Sequence, residues 1–144
     1  MGARRLVLDA NILIRAVLGK RVKHLIITYA VEVEFFAPEP AYHDVEHHVP
    51  TILTKHRRGN EIDASLAYLT QLREVVIPVP EEVYLGKKAE ALARIEQRDP
   101  DDWPVLATAI LFGCPIWTED NDFFGTGVPT WTTDRVELYL KPTD

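Results

Sequence analysis

The chain is poor in cysteine: of its 144 residues only Cys114 carries a thiol. That excludes an internal disulfide and any multi-cysteine zinc site, and it fits a reducing compartment. Cys114 lies between Gly113 and Pro115 after an apolar segment, and it reads as a small core residue rather than a catalytic thiol. Long apolar runs are missing too. No stretch reaches the ~18 residues of a membrane span, and the N-terminal LVLDANILI is interrupted by Asp9 and Asn11, which removes a secretory h-region as well. The expectation is a cytoplasmic protein with no membrane association. Positive charge is scarce: 16 Lys and Arg face 22 Asp and Glu, for a net charge of −6. A protein that coats duplex nucleic acid through a lysine- and arginine-rich face is thereby excluded. A nucleic-acid enzyme is not, because acids concentrated in one metal pocket leave the remaining surface closer to neutral. Repeats, low-complexity tracts and linkers are absent, and 47% apolar residues over this length can bury one core, so a single domain over 1–144 is expected.

What is present is an alternation of short β-branched runs with longer helical patterns. RRLVLDA (4–10), VEVEFFAP (31–38), EVVIPV (74–79), CPIWT (114–118) and an edge segment VPTWT (128–132) read as strands. Helices are predicted after the first strand up to Gly19, then over 22–31, 40–57, 61–72, 81–96, 102–112 and 133–140. Such a pattern predicts an α/β fold: a three-layer α/β/α sandwich around a mostly parallel, twisted sheet of four to five strands. Ligands of such sheets bind beyond the carboxyl ends of the strands, near the point where strand order reverses. Strand-terminal acids are therefore the residues of interest, and Asp9 and Asp120 are two of them.

The stretch HDVEHH (43–48) contains the spelling H-x-x-E-H of a zinc-binding helix. On a wheel of about 100° per residue, however, Ala41, Val45, Val49 and Ile52 form the apolar stripe, and His43 and His47 point away from it into solvent. A zinc ion there would lack a third protein ligand and a pocket, so the pair reads as two solvated histidines. Asp44 and Glu46 occupy opposite shoulders of the stripe, roughly 160° apart, so only one of them can look into a given cleft. Asp44 shares its shoulder with His48 at i+4, which suits a histidine that orients a carboxylate or touches a phosphate. Pro50 falls inside this helix and removes the donor for the carbonyl of Glu46.

Two further acidic clusters follow. RDPDDWPVLATAI (98–110) begins as a helix often begins, with Asp99 or Asp101 as cap and proline where no N–H is required, and it places Asp102 at the mouth. In IWTEDNDFFGTG, Asp120 and Asp122 can reach one ion from a turn-rich loop while Glu119 projects the other way. Carboxylates that converge at one sheet edge repel one another and require a cation to stay ionised. Hard oxygen ligands in incomplete shells suit Mg²⁺ or Mn²⁺ rather than zinc.

A strand-final LDAN, an acid on a helix after APEP, DPDDWPVLATA and IWTEDNDF occur in this order across nearly the whole chain. Together they resemble the PIN domain, the metal-dependent nuclease fold whose members include VapC-like toxins. The resemblance implies an acidic pocket of Asp9, Asp44, Asp102 and Asp120, with Glu46 as the alternative second acid. Metal would be held by Asp9, Asp102 and Asp120, with Asp99 and Asp122 in support; Asn11, Thr118 and His48 would be supporting residues, Thr118 as a hydroxyl that holds the substrate backbone. Arg15, Lys20 and Asn121 would hold the substrate backbone. The implied activity is metal-assisted hydrolysis of RNA phosphodiester bonds, with a small antitoxin protein as partner and a homodimer as assembly. Two alternatives stay open: a nucleic-acid-binding module of the same fold without turnover, and a metal-dependent phosphohydrolase of a small metabolite.

Overall fold

A computed structural model describes residues 4–142. Its centre is a five-stranded sheet in the order β3-β2-β1-β4-β5, with every described pairing parallel. The strands are β1 (Arg4–Leu8), β2 (Val33–Pro38), β3 (Val76–Val79), β4 (Ile116–Trp117) and β5 (Thr130–Trp131). Alternate residues of one strand serve opposite faces, as the pleat requires. Leu6 and Leu8 join one apolar core and Val7 joins the other, while Trp117 and Ile116 divide in the same way.

The first core lies beneath α1 (Ala10–Leu18), α2 (Arg21–Tyr29), α3 (Glu39–Lys55) and α4 (Ile62–Leu72). The second lies beneath α5 (Glu81–Tyr84), α6 (Lys88–Ile95) and α7 (Trp103–Phe112). A short α8 (Glu137–Leu140) returns to the first face, where Val136 and Leu140 are buried. The result is the expected α/β/α arrangement. In the order β3-β2-β1-β4-β5 the chain winds outward in one direction from β1 and then, through β4, in the other, so the reversal falls between β1 and β4.

Three local expectations are corrected. The helix expected over 81–96 is interrupted by a 3₁₀ turn at Leu85–Lys87. Gly86 is a poor helix former there, and the break allows Tyr84 to be buried against Trp103 with ring centroids 5.4 Å apart. The closing helix expected over 133–140 begins only at Glu137, because Thr133 is committed to β4: its hydroxyl accepts a hydrogen bond from Trp117 Nε1 at 3.1 Å. The buried stripe of α3 ends on Leu53 rather than Ile52 and also includes Tyr42, following i+4 spacing along one ridge.

Two glycines end helices, Gly19 where the sequence suggested a stop and Gly113 where it named none. Gly113 ends α7 with φ 63°, a conformation that costs a side chain strain. Gly19 ends α1 differently, in extended backbone, and its lack of a side chain matters because a Cβ there would meet the Arg15 carbonyl oxygen at 3.0 Å.

The orientation of α3 is fixed from its buried side. The Tyr42 hydroxyl donates to the Val76 carbonyl of β3, and Arg73 stacks over the Tyr42 ring at 4.5 Å. Tyr42→Phe should therefore lower unfolding free energy by about 1 kcal/mol, the usual net worth of one buried hydrogen bond. Urea denaturation reads this as a lower midpoint at constant slope. A midpoint equal to that of the parent would show that the hydroxyl does not anchor the helix.

Candidate metal centre

Asp9 follows β1 directly and caps α1. Its Oδ1 accepts from the Ala10 amide at 2.8 Å, and its Oδ2 accepts from the Thr118 hydroxyl at 2.8 Å and from Asn11 Nδ2 at 3.1 Å. The residue is only 7% exposed. Burial raises its pKa above the ordinary carboxylate value; the Thr118 and Ala10 hydrogen bonds pull it back, and the charges of Asp120 and Asp44 push it up further.

Thr118, next after β4, is the junction. Besides donating to Asp9 it accepts from the Asp120 amide at 2.9 Å and from Asn11 Nδ2 at 3.3 Å. Asn11 completes the tie by accepting from the Glu119 amide at 3.3 Å. Asp120 in turn caps a short 3₁₀ turn, its Oδ1 accepting from the Asp122 amide at 2.9 Å. The two strands that flank the reversal of strand order are therefore cross-linked through these side chains.

Asp102 enters from the other face of the sheet. Asp99 caps its 3₁₀ turn by accepting from the Asp101 amide at 3.1 Å, and α7 starts immediately afterwards with Pro104 in the first turn, where no N–H is required. Asp102 Oδ2 is buried and has no hydrogen-bond partner among the described residues. Burial first, then the charges of Asp9, Asp99, Asp120 and Asp122, raise its pKa to about 7. One oxygen each from Asp99, Asp102 and Asp122 lie within 4.8 Å of one another. Asp122 is raised as well, by burial and then by Asp120, against the opposing charge of Arg98.

Asp9, Asp44, Asp101 and Asp102 line one narrow cleft of about 30 Å³, roofed by Pro38, Pro40 and Pro104, which has room for a water molecule or an ion. The cleft is where Asp44 and Glu46 part. Asp44 lines it, whereas Glu46 lies against Arg73 at 3.5 Å and 3.9 Å from His43. Arg73 also pairs with Glu39 at 3.5 Å, so a single cation holds the far side of α3. That anchor was invisible to local reading because Arg73 lies in the turn after α4.

The remaining sequence candidates fall outside the cleft. His43 and His47 are exposed, as the wheel required. His48 is exposed, packs edge-on against the His47 ring at 5.4 Å, and among the described residues forms no ion pair with Asp44. Asn121 is exposed on the 3₁₀ turn. Arg15 and Lys20 line a separate groove, shared with Glu119. The acids from positions 9, 44, 99, 102, 120 and 122 thus gather at one edge, with their tightest convergence on Asp99, Asp102 and Asp122. Sequence had put those flanking two only in support.

The chain matches the family model described as PIN domain over residues 7–141. No curated protein matches it. Among solved structures it is similar to a chain of VapBC2 from Rickettsia felis bound to a DNA fragment from its promoter, with TM-score 0.67 and 11% identity over 89% of this chain and 98% of that one. It is also similar to a chain of a toxin-antitoxin complex from Klebsiella pneumoniae, with TM-score 0.58 and 17% identity over 89% and 97%. A chain of FitAB bound to an IR36 DNA fragment gives TM-score 0.59 and 16% identity over 96% and 98%. At these identities the likeness speaks for the fold.

The raised Asp102 has a consequence for stability. Its folded value of about 7 lies above its ordinary 3.8, so the folded protein binds this proton more tightly than the unfolded chain does. The associated stabilisation is fully present below the unfolded value and is lost as pH rises to about 7. Metal-free protein should melt at lower temperature near pH 8 than near pH 5, and Asp102→Asn should flatten this dependence and raise the melting temperature near pH 8 by about 5 °C. Differential scanning in EDTA tests it. Parallel curves for both proteins would show that Asp102 is not under charge strain.

Proposed function

Starting from the fact that the chain belongs to the PIN-domain family, a family of nucleases, we propose that it is a divalent-metal-dependent endoribonuclease that hydrolyses phosphodiester bonds of single-stranded or structured RNA. The observation that carries the reading is the buried Asp102 Oδ2, unpartnered among the described residues and under the charge of four further carboxylates. A carboxylate left without a donor in such company is a site for a cation.

The residues fit Mg²⁺ or Mn²⁺. All the donors in the cluster are oxygens, and no cysteine or histidine contributes to it. Asp9, Asp102 and Asp120 would hold the ion, with Asp99 and Asp122 at the edge where three oxygens already converge. When bound, it supplies Lewis-acid polarisation of a phosphate and acidification of water near neutral pH.

The chain's own groups do the rest. Thr118 and Asn11 donate to Asp9 Oδ2, and the Ala10 amide donates to Oδ1, so the Asp9 carboxylate is fixed in direction, and the Thr118 and Ala10 bonds oppose the burial that raises its pKa. Asp44 lines the same cleft as Asp9, forms no ion pair among the described residues, and serves as acceptor for the proton of an attacking water. His48 is within one helical turn of Asp44 and would engage it only on side-chain rearrangement.

The fold shared with a chain of a toxin–antitoxin complex supports a toxin role restrained by an antitoxin protein; a cytoplasmic location and a homodimer complete the proposal.

Labelled RNA incubated with the purified protein and Mn²⁺ should be cut, EDTA should stop cutting, and Asp9→Asn or Asp120→Asn should lower the rate by a hundredfold or more, on the order expected for loss of a metal ligand. Asp9→Asn should keep or slightly raise the melting temperature, since one repelling charge disappears. Full activity in rigorously purified Asp9→Asn would overturn the assignment. RNA that survives while Mn²⁺ raises the melting temperature would point to a binding module, and loss of a small phosphate ester in place of RNA would point to a metabolite phosphohydrolase.

A further inference from the structure

Arg15 lies one helical turn beyond Asn11 on α1, so both occupy the same face of the helix. Together with Lys20 and Arg21 it lines one side of a groove of about 620 Å³, in the size range of ligand clefts. Glu119, Thr133 and Asp134 form the other side, and Ile14, Leu18 and Val22 contribute apolar surface.

The charges of this groove are unevenly satisfied. Arg21 is paired with Asp134 at 2.8 Å, and Glu119 Oε2 accepts from the Thr133 amide at 2.9 Å. Arg15 and Lys20 are exposed and form no side-chain hydrogen bond or ion pair among the described residues. Two free cations in one recess are thus available to an external anion.

The groove and the acidic cluster are separate surfaces joined by one backbone segment. Glu119 lines it and is followed at once by Asp120, and the Glu119 amide is held by the same Asn11 that donates to Asp9. A polyanion approaching an acid-lined edge on a chain of net charge −6 binds more tightly where positive charge stands beside that edge.

We propose that this groove seats the sugar-phosphate backbone of single-stranded RNA next to the bond to be cut, with Arg15 and Lys20 each contacting a phosphate. The inference rests on the nuclease reading and adds the direction in which the strand leaves the cleft. Arg15 suits bidentate contact with phosphate oxygens and Lys20 a point contact. The apolar surface of Ile14, Leu18 and Val22 suits the exposed faces of unpaired bases, which a duplex would keep stacked inside.

The test is fluorescence anisotropy of a short labelled single-stranded oligoribonucleotide, with Mg²⁺ present, in the Asp9→Asn background. Adding Arg15→Ala and Lys20→Ala should weaken binding about tenfold and make the salt dependence shallower by about 1.4 in log–log slope, from about 0.7 per lost phosphate contact. The pair Lys55→Ala and Arg57→Asn removes equal charge from the end of α3, and Asn tolerates the φ of 57° at position 57. That control should keep affinity within about twofold. Equal losses in both pairs, or an unchanged slope in the first, would overturn the groove. So would intact RNA affinity combined with lost affinity for a labelled polyglutamate peptide, which would assign the recess to an acidic polypeptide. Circular dichroism confirms that the variants are folded. The predicted slope change, found alongside failure of the parent chain to cut RNA with Mn²⁺, would support the groove while removing the nuclease reading.

Discussion

The mutual repulsion of carboxylates at one sheet edge is the constraint around which the rest of this molecule is arranged. Burying an ionised carboxylate costs several kcal/mol unless hydrogen bonds replace the lost water. The chain meets that cost unequally. Asp9 receives three donors, from Ala10, Asn11 and Thr118, which offset part of its burial. Asp102 has a buried oxygen with none among the described residues. One acid is thus positioned by the fold and the other is left wanting positive charge, and the cluster as a whole is preorganised on the Asp9 side and incomplete on the Asp102 side.

The fold explains how acids so distant in sequence come together. A parallel sheet puts the ends of β1 and β4 side by side, and the reversal of strand order leaves an opening between them that no crossover covers. Asp9 and Thr118 sit at the two strand ends. Helices from opposite faces then bring the remaining walls: α3 carries Asp44 from the first face, and the turn before α7 carries Asp99 and Asp102 from the second. Each acid is short, so its position is set by backbone and not by a flexible stem.

How much of this could be read from the residues depended on whether the deciding interaction was local. The strands were visible because parallel strands buried on both faces are continuous apolar runs, as in LVL and IW. A cap at Asp99 or Asp101 was visible because the pattern Asp-Pro-Asp-Asp carries its own reason, and the fold uses Asp99. The choice between Asp44 and Glu46 was not visible: both sit on shoulders of the same stripe, and the decision is made by Arg73, which arrives from the turn after α4 to pair with Glu46. The break at Leu85–Lys87 was hidden for a similar reason, since it depends on Tyr84 finding Trp103 across the second core. The close approach of Asp122 to Asp99 and Asp102 likewise follows from the turn that Asp120 caps, a feature of the folded loop rather than of spacing.

The segment after β4 shows how few residues are needed to serve two surfaces. Asp120 has extended backbone, φ −89° and ψ 134°, and in extended chain successive side chains point to opposite sides. Thr118 and Asp120 accordingly turn toward Asp9 and Asp122, while Glu119 turns to Thr133 and the cationic groove. Alternation along three residues thus places an acidic edge and a basic recess back to back. Because Asn11 bonds to Asp9, Thr118 and the Glu119 amide, any shift of this segment moves both surfaces together. A strand of RNA gripped in the recess would therefore be registered against the acids by the same backbone that aims them, which is the geometric condition for a positioned phosphate rather than a merely attracted one.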